Sequence, residues 1–217
     1  MSTNVYFIRH GETYFNCFAR LQGWSDTPLT EKGKSDAKHI GKVLSSLKID
    51  YLFSSDLKRA IDTAKILIAQ NQNTNITEPV QKELFREVFY GSFEGHSNEE
   101  GAIWGSHLAG KRFRRIGELV NEFGVEKSHD LLREADPAHL AEGSEQLNHR
   151  VQKALDFLKS LPDGKNVVVA SHGSIIQYIA SFVDGHKTYG NLDNGAMMQL
   201  VISNGQFKVK EYNKTTL

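Results

Sequence analysis

The sequence predicts an α/β fold, a three-layer α/β/α sandwich around a mostly parallel sheet. Short apolar runs alternate with segments of helical period along most of the 217 residues, which is typical of βαβ units. No linker rich in Pro or Ser divides the chain, so we expect a single domain over residues 1–217. Three of the apolar runs, at residues 5–8, 51–55 and 167–170, are each followed by a group suited to binding an anion.

The first expected helix covers residues 30–47, after the strand at residues 5–8. Thr30 is its predicted N-cap, because a threonine hydroxyl accepts a hydrogen bond from a free N–H group of the first turn. One face of this segment is apolar and carries Ala37, Ile40, Leu44 and Leu47. This spacing is that of an amphipathic helix.

A second helix is expected after the strand at residues 51–55. Asp56 is its predicted N-cap, and its apolar side carries Leu57, Ala60, Ala64, Leu67 and Ile68. Arg59 then lies in the first turn, where free N–H groups and the helix dipole favour an anion. The sequence thus provides a candidate anion site after the second strand.

The middle of the chain departs from the strand and helix alternation. A weak strand is expected at residues 80–82, and the strand pattern stops at about residues 98–143. Within that stretch Phe113, Ile116, Val120 and Phe123 have helical spacing. We therefore predict a helical cap inserted over the site at about residues 98–143.

The alternation returns in the last third. Ser144 is the predicted N-cap of a helix with the buried stripe Leu147, Val151, Leu155 and Leu158, followed by a strand at 167–170 and a helix at about 174–182. Apolar alternation on both sides of Asn204-Gly205 predicts a β-hairpin with a type I′ turn. This hairpin offers an edge for pairing, and the oligomeric state, with a homodimer as one option, stays open.

Composition excludes several classes of protein. Lys and Arg together number 26, as do Asp and Glu, so nothing favours a nucleic-acid or membrane partner. The segment before the first strand lacks the features of a signal peptide, which leads us to expect a soluble cytoplasmic protein. Cys17 is the only cysteine, which rules out an internal disulfide and a site built from several cysteines.

Two histidines follow apolar strands. His10 comes after Arg9, and His172 follows the strand at 167–170. Because ligands bind at the carboxyl ends of the strands in open α/β sheets, we expect both rings and Arg59 to meet at one edge. A neutral imidazole attacks phosphorus, and guanidinium groups bind phosphate through two hydrogen bonds.

The remaining groups of the predicted site supply donors and a proton. Asn16 offers an amide donor or instead caps its own loop, and Glu87 is the candidate general acid. Gly11 and Gly173 allow the backbone to approach the ligand closely. Enough donors and cations surround one phosphate that no metal and no cofactor are required.

Four separated blocks of the chain resemble the histidine phosphatase superfamily, in its phosphoglycerate mutase-like branch. The resemblance covers the whole chain except about residues 98–143. The blocks are Arg9-His10-Gly11-Glu12-Thr13 with Asn16 and residues 21–30, then Ser54-Ser55-Asp56-Leu57-Lys58-Arg59, then Arg86-Glu87 with Phe93-Glu94-Gly95, and finally Ser171-His172-Gly173.

This resemblance implies a phosphohistidine intermediate on His10 and proton donation by Glu87. It implies a phosphate pocket of Arg9, Asn16, Arg59 and His172, with Gln22 and Gly23 beside it. The expected partner is a small phosphorylated substrate.

The resemblance leaves more than one activity open, and we favour a metal-independent phosphomonoesterase. Cofactor-dependent phosphoglycerate mutases carry a longer, proline-rich basic insertion, whereas Pro137 is the only proline between Gly95 and Gly143. A mutase and a non-catalytic phospho-ligand-binding module remain as alternatives. A basic cluster in the cap, consisting of Lys111, Arg112, Arg114 and Arg115, is interpreted as a solvated helix face rather than a contact for an anionic substrate tail.

Overall fold

A mixed six-stranded sheet forms the centre of the computed structural model, which describes residues 1–217. The strands are β1 (Thr3–Arg9), β2 (Tyr51–Ser54), β3 (Val80–Gln81), β4 (Asn166–Ser171), β5 (Met197–Ser203) and β6 (Gln206–Lys214). Their order across the sheet is β3-β2-β4-β1-β5-β6. Strands β1 to β4 are parallel, and only the C-terminal hairpin introduces antiparallel pairs. The predicted α/β class with a mostly parallel sheet is confirmed.

Seven helices accompany the sheet. They are α1 (Tyr14–Cys17), α2 (Glu31–Val43), α3 (Lys58–Ile68), α4 (Asn98–His107), α5 (Ile116–Ala135), α6 (Ser144–Lys159) and α7 (Gly173–Val183). None of them has the length and apolar character that crossing a membrane demands.

Helices cover both faces of the sheet because its central strands are apolar on both sides. In β1, Val5 and Phe7 belong to a core that also contains residues of α5, α6 and α7. Tyr6 and Ile8 point to the opposite face, into a second core with α2 and α3. Alternate residues of one strand thus enter two different cores, as the period of a strand dictates. This arrangement confirms the predicted three layers.

The boundaries of α2 and α3 match the predictions in part. The Thr30 side chain accepts a hydrogen bond from the Gly33 N–H, as expected of an N-cap, but the helix ends at Val43. The predicted cap of α3 was wrong, because Leu57 occupies the N-cap position without a side-chain hydrogen bond. Asp56 instead forms a two-point ion pair with Arg86.

The N-cap prediction for α6 was also wrong. Gly143 occupies the cap position, and Ser144 is the first residue of the helix. Both the N–H and the hydroxyl of Ser144 donate to the carboxylate of Asp130, at 2.7 and 3.1 Å. The Asp130 carboxylate, from another helix, therefore accepts the hydrogen bond of a free first-turn N–H group that a capping hydroxyl would otherwise accept.

The stretch between residues 98 and 143 is helical, as predicted, and contains α4 and α5. Phe113 lies before α5 rather than within it. A positive φ of 78° at Gly124 interrupts α5, and this left-handed conformation suits glycine. In the C-terminal hairpin, Asn204 and Gly205 both have positive φ angles, 51° and 72°, as the predicted type I′ turn requires.

Candidate active site

The carboxyl ends of β2, β4 and β1 lie next to one another at one edge of the sheet. His10 follows β1 and His172 follows β4, and their ring centroids are 5.2 Å apart with an interplanar angle of 62°. Both rings are buried. The structure thus brings together the two histidines that the sequence predicted to meet.

Hydrogen bonds fix the tautomer of His10. Its Nδ1 lies 2.8 Å from the carbonyl oxygen of Gly11, which can only accept, so Nδ1 carries the proton and Nε2 the lone pair. Burial, together with the charges of Arg59 and Arg9, holds the pKa of His10 well below its ordinary value of 6.5. The ring is therefore neutral at pH 7, and its Nε2 has the lone pair that a nucleophile needs.

Arg59 lies at the start of α3, and its side chain is completely buried. Its Nε donates to Nε2 of His10 at 3.2 Å. The two terminal nitrogens donate to one loop, at the carbonyl oxygens of Gln22, Gly23 and Ser25 and the carboxylate of Asp26. Each N–H of the guanidinium has an acceptor, which compensates the burial of its charge.

The loop that holds Arg59 is itself held by Glu94. The carboxylate of Glu94 accepts hydrogen bonds from the N–H groups of Gly23, Trp24 and Ser25 at 3.0 to 3.1 Å. It also accepts from the N–H of Tyr90. In the sequence Glu94 stands out only as part of a block that resembles the superfamily, so this function of Glu94 was not predicted.

Gln22 and Gly23 contact Arg59 through their carbonyl oxygens. The Gln22 side chain accepts a hydrogen bond from the Thr13 hydroxyl at 2.6 Å and donates to the Thr27 hydroxyl at 3.0 Å. Direct contacts of Gln22 and Gly23 with a phosphate stay a prediction, whereas their contacts with Arg59 are part of the site.

His172 occupies the N-cap position of α7. Its Nε2 lies 2.7 Å from the hydroxyl of Ser55, while its buried Nδ1 has no hydrogen-bond partner. Burial and the charge of Arg59 hold the pKa of His172 well below 6.5. A buried nitrogen without a partner is uncommon in proteins, and this one has its hydrogen-bonding capacity free for a ligand. Ser55 was missed as a partner of this ring, although it directly follows β2.

Arg9 provides a second unpartnered donor. Its Nη1 donates to the carbonyl oxygen of Leu192, and its buried Nε has no partner. The backbone of Gly173 lies beside this guanidinium, since a Cβ at position 173 would be 3.1 Å from the Arg9 Nε. The lack of a side chain at Gly173 therefore lets Arg9 lie against the start of α7.

Of the two roles that the sequence left open for Asn16, the structure shows the cap of its own loop, and a contact with phosphate stays a prediction. Its Oδ1 accepts a hydrogen bond from the Thr13 N–H at 3.1 Å, as part of a capping box on α1. The same oxygen accepts from Nδ2 of Asn194 at 3.1 Å. The NH₂ group of Asn16 makes no hydrogen bond within the protein, so it is available as a donor.

Glu87 is buried against the first turn of α7. Its two oxygens accept hydrogen bonds from the N–H groups of Ser174, Ile175 and Val88, at 2.8 to 3.0 Å. Burial raises the pKa of Glu87 above its ordinary value of 4.5, and these N–H groups and the charge of Arg59 oppose the rise. The carboxyl is thus suited to exchange a proton.

A cavity of about 470 Å³ opens beside these groups. Arg9, Glu87 and Gly173 line it, together with residues of the predicted cap. The basic cluster is exposed, as interpreted, but it does not lie on a helix face, because residues 111–115 form the loop between α4 and α5. Arg114 and Arg115 line the cavity.

Comparisons with known proteins concern the sequence family and the fold. Residues 5–215 match the sequence model of the histidine phosphatase superfamily (branch 1). The chain is 32% identical over 185 residues to the probable phosphoglycerate mutase GpmB of Enterobacter sp. (strain 638), covering 85% of this chain and 76% of that protein.

Solved structures share the whole fold. A phosphoglycerate mutase from Bacillus anthracis str. Sterne superposes with a TM-score of 0.90 at 29% identity, covering 99% of this chain and 94% of that one. A putative alpha-ribazole-5'-P phosphatase from Escherichia coli str. K-12 substr. MG1655 has a TM-score of 0.72 at 22% identity, covering 99% and 98% of the two chains. The second similarity concerns the fold alone.

Proposed function

The chain belongs to the histidine phosphatase superfamily (branch 1), and from this membership we propose that it hydrolyses phosphomonoesters through a phosphohistidine at His10. The observation that carries the proposal is the arrangement of donors around the neutral His10 ring. Arg9 Nε and His172 Nδ1 are buried and unpartnered, and the NH₂ of Asn16 is free. A phosphoryl group bound to His10 would give each of these three nitrogens a hydrogen-bond acceptor.

In the first proposed step, Nε2 of His10 attacks phosphorus and the bond between phosphorus and the ester oxygen breaks. Glu87 gives its proton to the leaving oxygen, so that an alcohol departs. The Arg59 Nε–H loses its acceptor when Nε2 forms the N–P bond, and this donor then turns to a phosphoryl oxygen. Arg9 and His172 stabilise the charge on the equatorial oxygens.

In the second step, water attacks the phosphohistidine while the Glu87 carboxylate takes one of its protons. The N–P bond breaks and returns the lone pair to Nε2, and inorganic phosphate leaves. The cavity volume of about 470 Å³ suits a small substrate, and Arg114 and Arg115 in its wall favour one with a further negative group.

The test is hydrolysis of an aryl phosphate in the presence of EDTA, with isolation of acid-labile, protein-bound phosphate. The wild type is expected to release phosphate and to carry label on a histidine, and His10→Ala to do neither. His39→Ala is the matched control, because His39 is exposed on α2. Hydrolysis by His10→Ala at the wild-type rate would refute the mechanism.

A second candidate is a mutase, which passes the phosphoryl group to an alcohol instead of water. The names of two relatives, a probable phosphoglycerate mutase and a phosphoglycerate mutase of known structure, favour it. With 3-phosphoglycerate as substrate, a phosphatase releases inorganic phosphate, whereas a mutase accumulates 2-phosphoglycerate faster than phosphate. Binding of phosphate without any turnover of a broad ester panel would favour a non-catalytic module.

A further inference from the structure

A loop from the C-terminal part of the chain closes over the end of β1. The N–H of Arg9 donates to the carbonyl oxygen of Ala196 at 3.0 Å, and the N–H of Gly195 donates to the carbonyl oxygen of Arg9 at 3.1 Å. Asn194 lies next to these contacts, just before β5. Nothing in the sequence distinguishes it from an ordinary turn residue before a glycine.

The side-chain amide of Asn194 contacts two parts of the site at once. Its Nδ2 lies 3.0 Å from the carbonyl oxygen of His10 and 3.1 Å from Oδ1 of Asn16. An amide nitrogen carries two hydrogens, so one is available for each acceptor. A single group therefore connects the backbone of the predicted nucleophile with the side chain of a predicted phosphate ligand.

These contacts decide which way the Asn16 amide faces. Its Oδ1 accepts from the Thr13 N–H and from Nδ2 of Asn194, and the Thr13 hydroxyl also lies 3.1 Å from it. Rotating the amide by half a turn would place its NH₂ group against the Thr13 N–H and the Asn194 NH₂, which can only donate, and both of these bonds would break. The NH₂ of Asn16 must then point away from them.

We propose that Asn194 is a positioning residue for phosphoryl transfer. It fixes the Asn16 amide with its NH₂ group toward the phosphoryl group on His10, and it holds the His10 backbone in the same arrangement. The inference rests on the proposed function, since it assigns the task of presenting one phosphate ligand. Asn194 acts through Asn16 and His10.

The loop has a separate anchor on its outer side, which makes the role of Asn194 testable. Asn213 accepts a hydrogen bond from the Asp193 N–H at 2.8 Å and donates to the Asp193 carboxylate at 3.1 Å. Asn213 has a positive φ of 54°, so Asn213→Gly removes this anchor without backbone strain. This variant loosens the loop but leaves the Asn194 amide intact.

The experiment measures binding of inorganic phosphate by calorimetry, together with kcat and KM for an aryl phosphate. Asn194→Ala is expected to weaken phosphate binding about tenfold, as for one hydrogen bond to a charged ligand. Asn16→Ala is expected to do the same. The double variant should bind within about twofold of Asn16→Ala alone, because Asn194 acts mainly through Asn16. Asn213→Gly should bind like the wild type.

Asn194→Asp provides a second variant of nearly the same shape. The introduced carboxylate accepts rather than donates, so the Asn16 amide turns its NH₂ toward position 194 and phosphate binding falls at least as far as in Asn194→Ala. Circular dichroism identifies a variant that has not folded, in which case the aspartate variant carries the test.

Two outcomes overturn the inference. The first is a loss of phosphate affinity in the double variant that equals the product of the two single losses. The second is a loss in Asn213→Gly as large as that in Asn194→Ala. Both are read from binding, which needs no turnover. If the losses of phosphate binding in Asn16→Ala and Asn194→Ala are coupled but no phosphohistidine forms, the proposed function is refuted and the positioning role of Asn194 stands. If phosphohistidine forms but the losses of binding in the two single variants are independent, only the role of Asn194 is refuted.

Discussion

Replacing Glu87 by glutamine separates proton transfer from the rest of the proposed reaction. Glutamine has the shape of glutamate but gives no acidic proton to a leaving oxygen. The substitution keeps the buried position at the start of α7, where three backbone N–H groups meet the carboxylate. We therefore expect Glu87→Gln to fold and to lose activity selectively.

The expected loss depends on the leaving group. For an alkyl phosphate, whose alkoxide needs a proton, removal of the general acid lowers kcat by about 10²- to 10⁴-fold, or about 3 to 5 kcal/mol in activation free energy. An aryl phosphate with an acidic phenol leaves without that proton. Its rate of phosphoenzyme formation should change by less than about tenfold.

The structure also sets the stability cost. If the amide oxygen takes the position of Oε1, it keeps the hydrogen bonds from Val88 and Ile175, and the NH₂ then faces the Ser174 N–H. One unsatisfied buried N–H costs about 1 to 3 kcal/mol. For a chain of this size each kcal/mol lowers the melting temperature by about 2 to 4 °C.

The assay compares single-turnover rates for an alkyl and an aryl phosphate in the wild type and the variant. Glu83→Gln is the matched control, because its side chain is 76% exposed and lies four positions earlier. Equal losses on the two substrates, or full activity on the alkyl ester, would refute the assignment of Glu87 as the acid.

Two other predictions concern stability. Burial lowers the pKa of His129 to about 4. Between about pH 6.5 and pH 4 the ring therefore binds a proton in the unfolded chain but not in the folded protein. The free energy of unfolding should fall by about 3 kcal/mol as the pH drops through this range. Melting curves against pH should be flatter for His129→Gln, and identical slopes would contradict this. Arg59→Lys has three N–H groups for the five acceptors of Arg59, so at least two acceptors lose their donor, and the free energy of unfolding, measured in urea, should fall by about 2 to 5 kcal/mol. An unchanged urea midpoint would count against it.

Local sequence signals were enough to predict the sheet and the two histidines. Apolar runs identify strands, and parallel topology gathers their carboxyl ends, so His10 and His172 had to meet if both runs entered one sheet. The N-cap at Thr30 was also predictable, because its partner, Gly33, lies three residues away. In each case the deciding interaction is either local or imposed by topology.

The wrong predictions involve partners that are distant in sequence. Asp56 has the residue type and position of an N-cap, but Arg86 competes for its carboxylate. Ser144 likewise binds Asp130 of another helix. Spacing gives no information on such contacts, since they form only when the elements pack.

The missed site residues have the same cause. Asn194 contacts His10 across 184 positions of the chain, and Glu94 reaches Gly23 across 71. Each lies in a segment rich in turn-forming residues, where asparagine and glutamate are ordinary. Their roles become visible only from the hydrogen bonds of the folded molecule.

The central position of β1 has a consequence for synthesis of the protein. Its two neighbours in the sheet, β4 and β5, are made long after it, because they span residues 166–171 and 197–203. At about 5 to 20 residues per second, roughly 10 to 40 s separate the appearance of the first strand from that of its last partner. During this interval the ribosome carries an apolar strand with at least one open edge, which favours aggregation until the C-terminal hairpin emerges.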